Sequence, residues 1–372
     1  MSEEYVFLLL FLVFWIAIYI LGRFLSLGKY GLQIKPFFIR YDSETFKRIL
    51  YKYSGRWKNL WRIFSHISVF LGLGLMFFAI LFLSWNIMEI FLWRGKGVMI
   101  VPVIPVLTLS LYWLPYFLIA IIIAIFIHET AHGILALIEG IGIKAAGALI
   151  FAIFPGGFVE LDGKELNKLS HASKMKIFSA GASSNILAGL IIFLILSCLF
   201  IQSPSGIVVL EVLEGGPLDS AGIRRWDVIY ALNGTLIRNY EDLAFFMSSV
   251  NPGDKLTVST SRGNITTIAT SSPDDPRRAI IGIVSPFLLY YPSRLGLGFF
   301  WDTQIYLVLN WLFLILVNVA VFNMLPIPLL DGDKFIQCLL ERITTKGDVI
   351  KKFLNVLSIL LIAANISLGL RL

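Results

Sequence analysis

The stretch "IAIFIHETAHGILAL", residues 123–137, sets two histidines and a glutamate inside a run that otherwise reads as lipid-soluble helix. An ionisable group at that depth costs at least a few kcal/mol unless it faces a partner or a water-filled cavity, so His128, Glu129 and His132 call for a use. In H-E-x-x-H the two histidines, four residues apart on a helix, share one face and can bind one Zn²⁺, while the glutamate can act as a base toward water. Zinc at such a site lowers the pKa of its water to about 7 and polarises a carbonyl, and the carboxylate hands the proton to the leaving amine; the chemistry is hydrolysis. The chain has only four histidines, and two of them at this spacing around a glutamate argue against chance.

Working outward, 57% of the 372 residues are hydrophobic and 15% charged, which excludes an ordinary soluble fold and points to an integral membrane protein. An apolar helix of about 20 residues crosses a bilayer core, and six stretches qualify: roughly 5–25, 64–85, 112–138, 176–201, 299–325 and 350–370. The first follows two acidic residues and lacks a small-residue cleavage site, so it reads as a retained span and not a signal peptide. Residues 97–110 and 147–162 are short, β-branched and broken by Pro or Gly. Irregular backbone at membrane depth is tolerated only inside protein or beside a cavity, so these read as re-entrant or hairpin segments near a site, or as plain interfacial loops. The fold class expected is thus an α-helical polytopic membrane protein with re-entrant or β-hairpin segments and an inserted β-rich domain.

The formal net charge of +7 could suggest nucleic acid, but the basic residues cluster in loops beside apolar runs. Anionic lipid headgroups and topology account for them there, so the bilayer is the expected partner and nucleic acid is not. Lysine and arginine number ten from Arg23 to Arg62, two between residues 86 and 111, five from Lys144 to Lys176 and five from Lys334 to Lys352. The first, third and fifth loops are therefore expected in the cytoplasm, and the long segment between spans four and five outside. Cys198, in an apolar run, and Cys338, read as loop, have no metal or redox spacing, and no disulfide is expected.

Residues 205–287 change character to alternating strands, turns and charges, "GIVVLEVLEGGPLDSAGIRRWDVIYALNG" followed by an amphipathic helix and a hairpin. Gly216-Pro217, Ala221-Gly222-Ile223, Asp227-Val228-Ile229, Asn233-Gly234 and Pro252-Gly253-Asp254 stand in the order of protease-associated PDZ modules, which this segment resembles. Trp226 occupies a usual glycine position, and no clear carboxylate-binding loop is present. The resemblance implies either peptide capture by strand addition or a steric cap. The division expected is residues 1–111 as N-terminal spans and basic loop, 112–204 with 288–372 as catalytic core, and 205–287 as the PDZ-like domain.

A catalytic zinc needs a third protein ligand and an open position. His66 and His171 lie at span edges, whereas "NMLPIPLLDGDKF", residues 323–335, closes the fifth span. H-E-x-x-H in one span with N-x-x-P-x-x-x-x-D-G at the end of a later one resembles the site-2 protease family of intramembrane zinc metalloproteases. The resemblance implies that Asp331 is the third ligand. It also covers Gly181-Ala182-Ser183-Ser184-Asn185, a G-x-x-x-N match with Ala182 in the usual proline position, and implies that Asn185 steadies the scissile carbonyl oxygen. Asp331 as a helix or turn cap and Asn185 as part of a small-residue packing face are the structural alternatives. By the parity of the spans, His128, His132, Asn185 and Asp331 fall at one depth near the cytoplasmic side.

The function implied is intramembrane proteolysis of membrane proteins that carry a transmembrane helix. Alternatives are a catalytically silent PDZ membrane scaffold and a zinc protease acting at the membrane surface. The scaffold predicts the loss of one of His128, Glu129, His132 or Asp331, and all four are present.

Overall fold

The structure, a computed structural model, describes residues 3–25, 27–92, 97–103, 108–110, 112–284 and 288–369. It divides into two compact units, Met1–Ile191 with Trp311–Leu372, and Ile192–Asn310.

Among the described residues five helices are long and apolar enough to cross a membrane: α3 (Lys58–Leu92), α4 (Leu114–Ile138), α6 (His171–Leu199), α9 (Phe299–Asn323) and α11 (Gly347–Gly369). The expected first span forms α1 (Glu3–Phe24), whose apolar run is shorter, Leu8–Phe24. Amphipathic α2 (Glu44–Arg56), the short α5 (Gly163–Lys168) and α10 (Asp331–Ile343) complete the helices of this unit. Cys338 is buried in α10 and not in a loop. The core joins α3, α6, α9, α10 and α11 through Leu75, Met76, Ala182, Ala320, Met324 and Phe335. Small residues set the closest approach: Ser179 Oγ donates to Ser68 Oγ at 3.1 Å and Ser183 Oγ to the Ser68 carbonyl at 3.0 Å. A Cβ on Gly72 of α3 would stand 2.7 Å from that of Ser179 on α6, so the pair packs at the distance small residues permit.

α4 begins with Pro115, whose missing N–H costs nothing in a first turn. It ends in a Schellman motif: Gly140 at φ 89°, Ile141 N–H to Ala136 O at 2.8 Å and Gly140 N–H to Leu137 O at 3.2 Å. The chain turns there into a four-stranded antiparallel sheet of order β1 (Leu32–Lys35), β2 (Phe38–Asp42), β3 (Ile143–Phe151) and β4 (Phe154–Leu161). Residues 147–162 are therefore mostly hairpin, paired register by register from Gly147↔Phe158 to Phe151↔Phe154. Of 97–110, residues 104–107 lie outside the described residues, and the described remainder forms neither helix nor multi-residue strand.

The sheet also takes two strands from the basic first loop. Pro36–Phe37 makes the β1–β2 turn, with Phe37 at φ 56° where glycine is usual. Its ring packs on α1, 5.8 Å from the rings of both Phe11 and Trp15. Arg40 of β2 reaches Glu160 of β4 at 2.9 Å and Asp42 at 2.8 Å, its guanidinium 4.1 Å from the Phe158 ring. Leu50 of α2 is buried with Ile134 of α4 and with Ile143 and Ala146 of β3. The first loop thus helps to build the frame that holds α4.

In the second unit, strands order as β10-β9-β7-β5-β14, with β8 on β7. The strands are β5 (Gly206–Val208), β6 (Glu211–Val212), β7 (Val228–Leu232), β8 (Thr235–Leu236), β9 (Lys255–Thr260), β10 (Gly263–Ile268), β11 (Thr270–Ser271), β12 (Ala279–Ile280), β13 (Ile283–Val284) and β14 (Leu288–Tyr290). β11 pairs with β12 and β13 with β6. The helices are α7 (Pro217–Ser220) and α8 (Tyr240–Met247), the latter capped by Asn239, which accepts from Asp242 N–H at 2.8 Å. Asn233 and Gly234, at φ 46° and 81°, turn β7 into β8. Trp226 has φ 77°, the left-handed conformation that glycine adopts freely. Fully buried Asp227 accepts from the Arg224 N–H at 2.8 Å and pairs with Arg262 at 2.6 Å.

Candidate metal centre

The helical repeat of α4 brings the His128 and His132 rings together edge to face, with centroids 4.6 Å apart. The third residue arrives through a helix break. α9 stops at Asn323, and the segment with Pro326 and Pro328, which cannot continue a helix, turns on Leu325 N–H to Phe322 O and Leu330 N–H to Ile327 O. Leu329 sits there at φ 82° and is 94% exposed. α10 then starts at Asp331, with Leu330 as its N-cap residue and no side-chain cap bond. The Asp331 carboxylate is therefore spent on the histidines and not on capping. Gly332 is needed because a Cβ there would collide with the carbonyls of Met324 and Leu325.

His128, His132 and Asp331 offer ligand atoms that all lie within 4.8 Å of one another. Asp331 Oδ2 is 3.0 Å from His128 Nε2 and 2.9 Å from His132 Nε2, and the two Nε2 atoms are 3.0 Å apart. His132 Nδ1 donates to the Ile177 carbonyl at 2.7 Å, which leaves its Nε2 with a lone pair. Two imidazoles and a carboxylate converging on one point suit Zn²⁺ and leave a fourth position open. A proton shared among them satisfies only part of this lone-pair density, so the residues fit the metal. Gly181 of α6 makes room for the pair, since a Cβ there would strike both imidazoles.

A cavity of about 430 Å³ opens on the cluster, lined among others by Glu129, Asn323 and Lys334. Glu129 Oε2 accepts from the Val159 N–H of β4 at 3.0 Å, and Gly157 lets β4 approach, a Cβ there standing 3.1 Å from Glu129 Cγ. Asn323 Nδ2 donates to Asp331 Oδ2 at 2.8 Å and lies 2.9 Å from His128 Nε2. Asn185 is fully buried, does not line the cavity, and its Nδ2 lies 3.4 Å from His128 Nδ1 while its Oδ1 has no partner. Turning the amide over sets Oδ1 against His128 Nδ1, which can then donate and present Nε2 as a ligand. In that orientation the Asn185 side chain supports the His128 ring, and the amide that lines the cavity is that of Asn323.

Residues 116–364 match the model of peptidase family M50. The chain belongs to this family. M50 members are membrane zinc metalloproteases, which agrees with the metal-ready cluster and the apolar helices. Over 95% of its length the M50 chain is 28% identical to an uncharacterized protein of Methanocaldococcus jannaschii, covering 93% of that protein. It is 30% identical over 136 residues to the membrane-bound transcription factor site-2 protease homolog of Arabidopsis thaliana, 35% of this chain and 26% of that one. A protein named as a zinc metalloprotease in Streptococcus pyogenes is 23% identical over 211 residues, 45% of this chain and 50% of that one. Sequence reading missed the Val159 amide, the clearance at Gly181 and the cavity-facing role of Asn323. Asn323 and Gly181 left signals, as the first residues of N-x-x-P-x-x-x-x-D-G and G-x-x-x-N.

Proposed function

We propose that this M50 member is a site-2-type endopeptidase that hydrolyses peptide bonds within or beside the transmembrane segments of membrane-protein substrates. The observation that carries the reading is the convergence of His128, His132 and Asp331 in one cavity with Glu129. Zinc held by those three residues supplies a Lewis acid and an activated water. Glu129, anchored through Oε2 by Val159, keeps its other oxygen to take a proton and deliver it to the leaving amine. Asn323 is the amide positioned to meet a carbonyl oxygen, and Asn185 and Ile177 orient the two imidazoles from behind. β4 is an edge strand, so a substrate unwound into extended form can lie along it and pass Glu129.

α1 serves as a sixth span, loop charges assign the catalytic end to the cytoplasmic side, and span parity assigns residues 205–287 to the other. The second unit acts as a PDZ-like peptide-binding module. A groove of about 620 Å³ between α8, with Tyr240, Leu243 and Met247, and residues 279–284 suits an extended peptide better than a bare cap. Purified protein in vesicles with a single-span substrate tests the central reading: one zinc per chain and cleavage inside the span are expected. A protein that binds no zinc overturns it. Cysteine labelling at Ser205 and Lys346 from each side of the vesicle tests the sidedness, and labelling from the same face sinks that part alone.

A further inference from the structure

Glu129 borders two cavities. Besides the one holding the ligand cluster, it touches a second of about 280 Å³ enclosed by Ile122, Ile125 and Phe126 of α4, Phe46 of α2, Leu149 of β3 and residues 155–157 of β4. Apart from Glu129, every residue lining this second cavity is apolar or glycine. The Phe46 and Phe126 rings pack at 5.3 Å to form one wall. Missing side chains keep it open: a Cβ on Gly157 would stand 2.9 Å from Ile125 Cγ2, and one on Gly156 would stand 2.6 Å from Leu149 Cδ1. At its rim Ile122, Phe126 and Ile150 face outward.

We propose that this cavity is the specificity subsite of the peptidase, receiving one large apolar side chain, leucine or phenylalanine, from a residue next to the scissile bond. The inference rests on the peptidase reading above. A shared wall at Glu129 places the reacting bond and the cavity about one residue apart along an extended chain, which advances about 3.3 Å per residue. An alanine leaves the cavity unfilled and forfeits contacts. An aspartate meets apolar walls and the Glu129 carboxylate, and finds no donor. One methylene in such a pocket is worth roughly 10–200-fold in kcat/KM.

The test uses zinc-loaded full-length protein in vesicles and single-span substrates that differ only in the two residues flanking the cut, each set to Ala, Leu, Phe or Asp. At one of the two positions Leu or Phe should be cleaved at least tenfold better than Ala, and Asp least of all. Ala148→Leu, which narrows the cavity from β3, should erase the preference for Phe over Ala. Ile122→Ala, which widens it, should raise the Phe-to-Leu ratio, and this variant decides the matter if Ala148→Leu loses all cleavage. Equal cleavage of the Ala and Phe substrates, or ratios unmoved by the variants, overturns the subsite and leaves the peptidase reading standing. Failure of zinc-loaded wild type to cleave any of the substrates overturns the peptidase reading, and the subsite with it.

Discussion

Two buried polar clusters sit among the apolar helices of the larger unit, and they are built on opposite principles. At Asn86 of α3 and Asn365 of α11, both fully buried, every donor meets an acceptor. Asn86 accepts from the Val98 N–H at 2.7 Å and donates to the Val98 carbonyl and to Asn365 Oδ1, both at 2.8 Å; Asn365 donates to the Leu83 and Leu361 carbonyls. Such a knot is complete without any guest, and it ties residues 97–103 to two helices. At His128, His132 and Asp331 three ligand atoms converge at 2.9–3.0 Å with more lone pairs than protons to share among them. Low-dielectric surroundings make an unmatched polar group costly, so a cluster of surplus lone pairs persists where something positive is to be bound. The balance of donors and acceptors, and not burial, separates the structural cluster from the functional one.

The sharpest way to break this contrast is Asp331→Asn, which keeps shape and removes charge. It should abolish activity and stoichiometric zinc, whereas Asp333→Asn, two residues on, should retain both because Asp333 faces Lys351 and Asn355; full zinc occupancy in Asp331→Asn would remove it from the ligand set. Next in size, Glu129→Gln should lower the cleavage rate by roughly 10²–10⁴-fold, the usual worth of general acid–base catalysis, with zinc per chain unchanged. Near-wild-type turnover would refute the base assignment. Asn185→Leu should weaken zinc affinity roughly 10–100-fold, the range seen when a ligand's supporting partner is lost, as measured by competition with a chelator. An effect on kcat alone, with affinity intact, would return Asn185 to the scissile carbonyl. Asn86→Ala should be mildest at the site: unpairing the Val98 groups and Asn365 costs about 1–3 kcal/mol of stability, while zinc per folded chain stays the same. If Asn86→Ala also loses zinc, the two clusters are not independent.

Much of this was legible in the sequence because its signals are local. H-E-x-x-H is a one-turn pattern on a helix, so spacing points to His128 and His132, whereas Asp331 was named through the resemblance to the site-2 protease family, its motif lying on a single helix break. The D-G glycine and the helix-breaking prolines carry their geometry with them. Asn185 was legible as a position, whereas its surroundings were not, because whether an amide faces a cavity or the back of a ring depends on how α6 is rotated against α4. The sheet was half read. The β3–β4 hairpin announces itself by its apolar, β-branched run, but β1 and β2 lie in a loop whose charge speaks of topology. The alternation in "LQIKPFFIRYD", residues 32–42, around Pro36 was the available cue. Its pairing with β3 is long-range and leaves no mark within either segment.

That long-range pairing constrains how the protein is made. β2 leaves the ribosome well ahead of β3, its sheet partner at Phe38↔Phe151 through Asp42↔Gly147, and at the usual 5–20 residues per second the interval is on the order of ten seconds. During that time α3 and α4 must enter the bilayer while the newborn β1–β2 hairpin waits with one open edge, the sort of edge that recruits wrong partners. Arg40 and Asp42 put charged side chains on that waiting strand, a feature that discourages edge-to-edge pairing with a second nascent copy. Slowed insertion of α3 or α4 would lengthen the exposure, so the vulnerable interval in this protein's life lasts until β3 has followed α4 out of the ribosome.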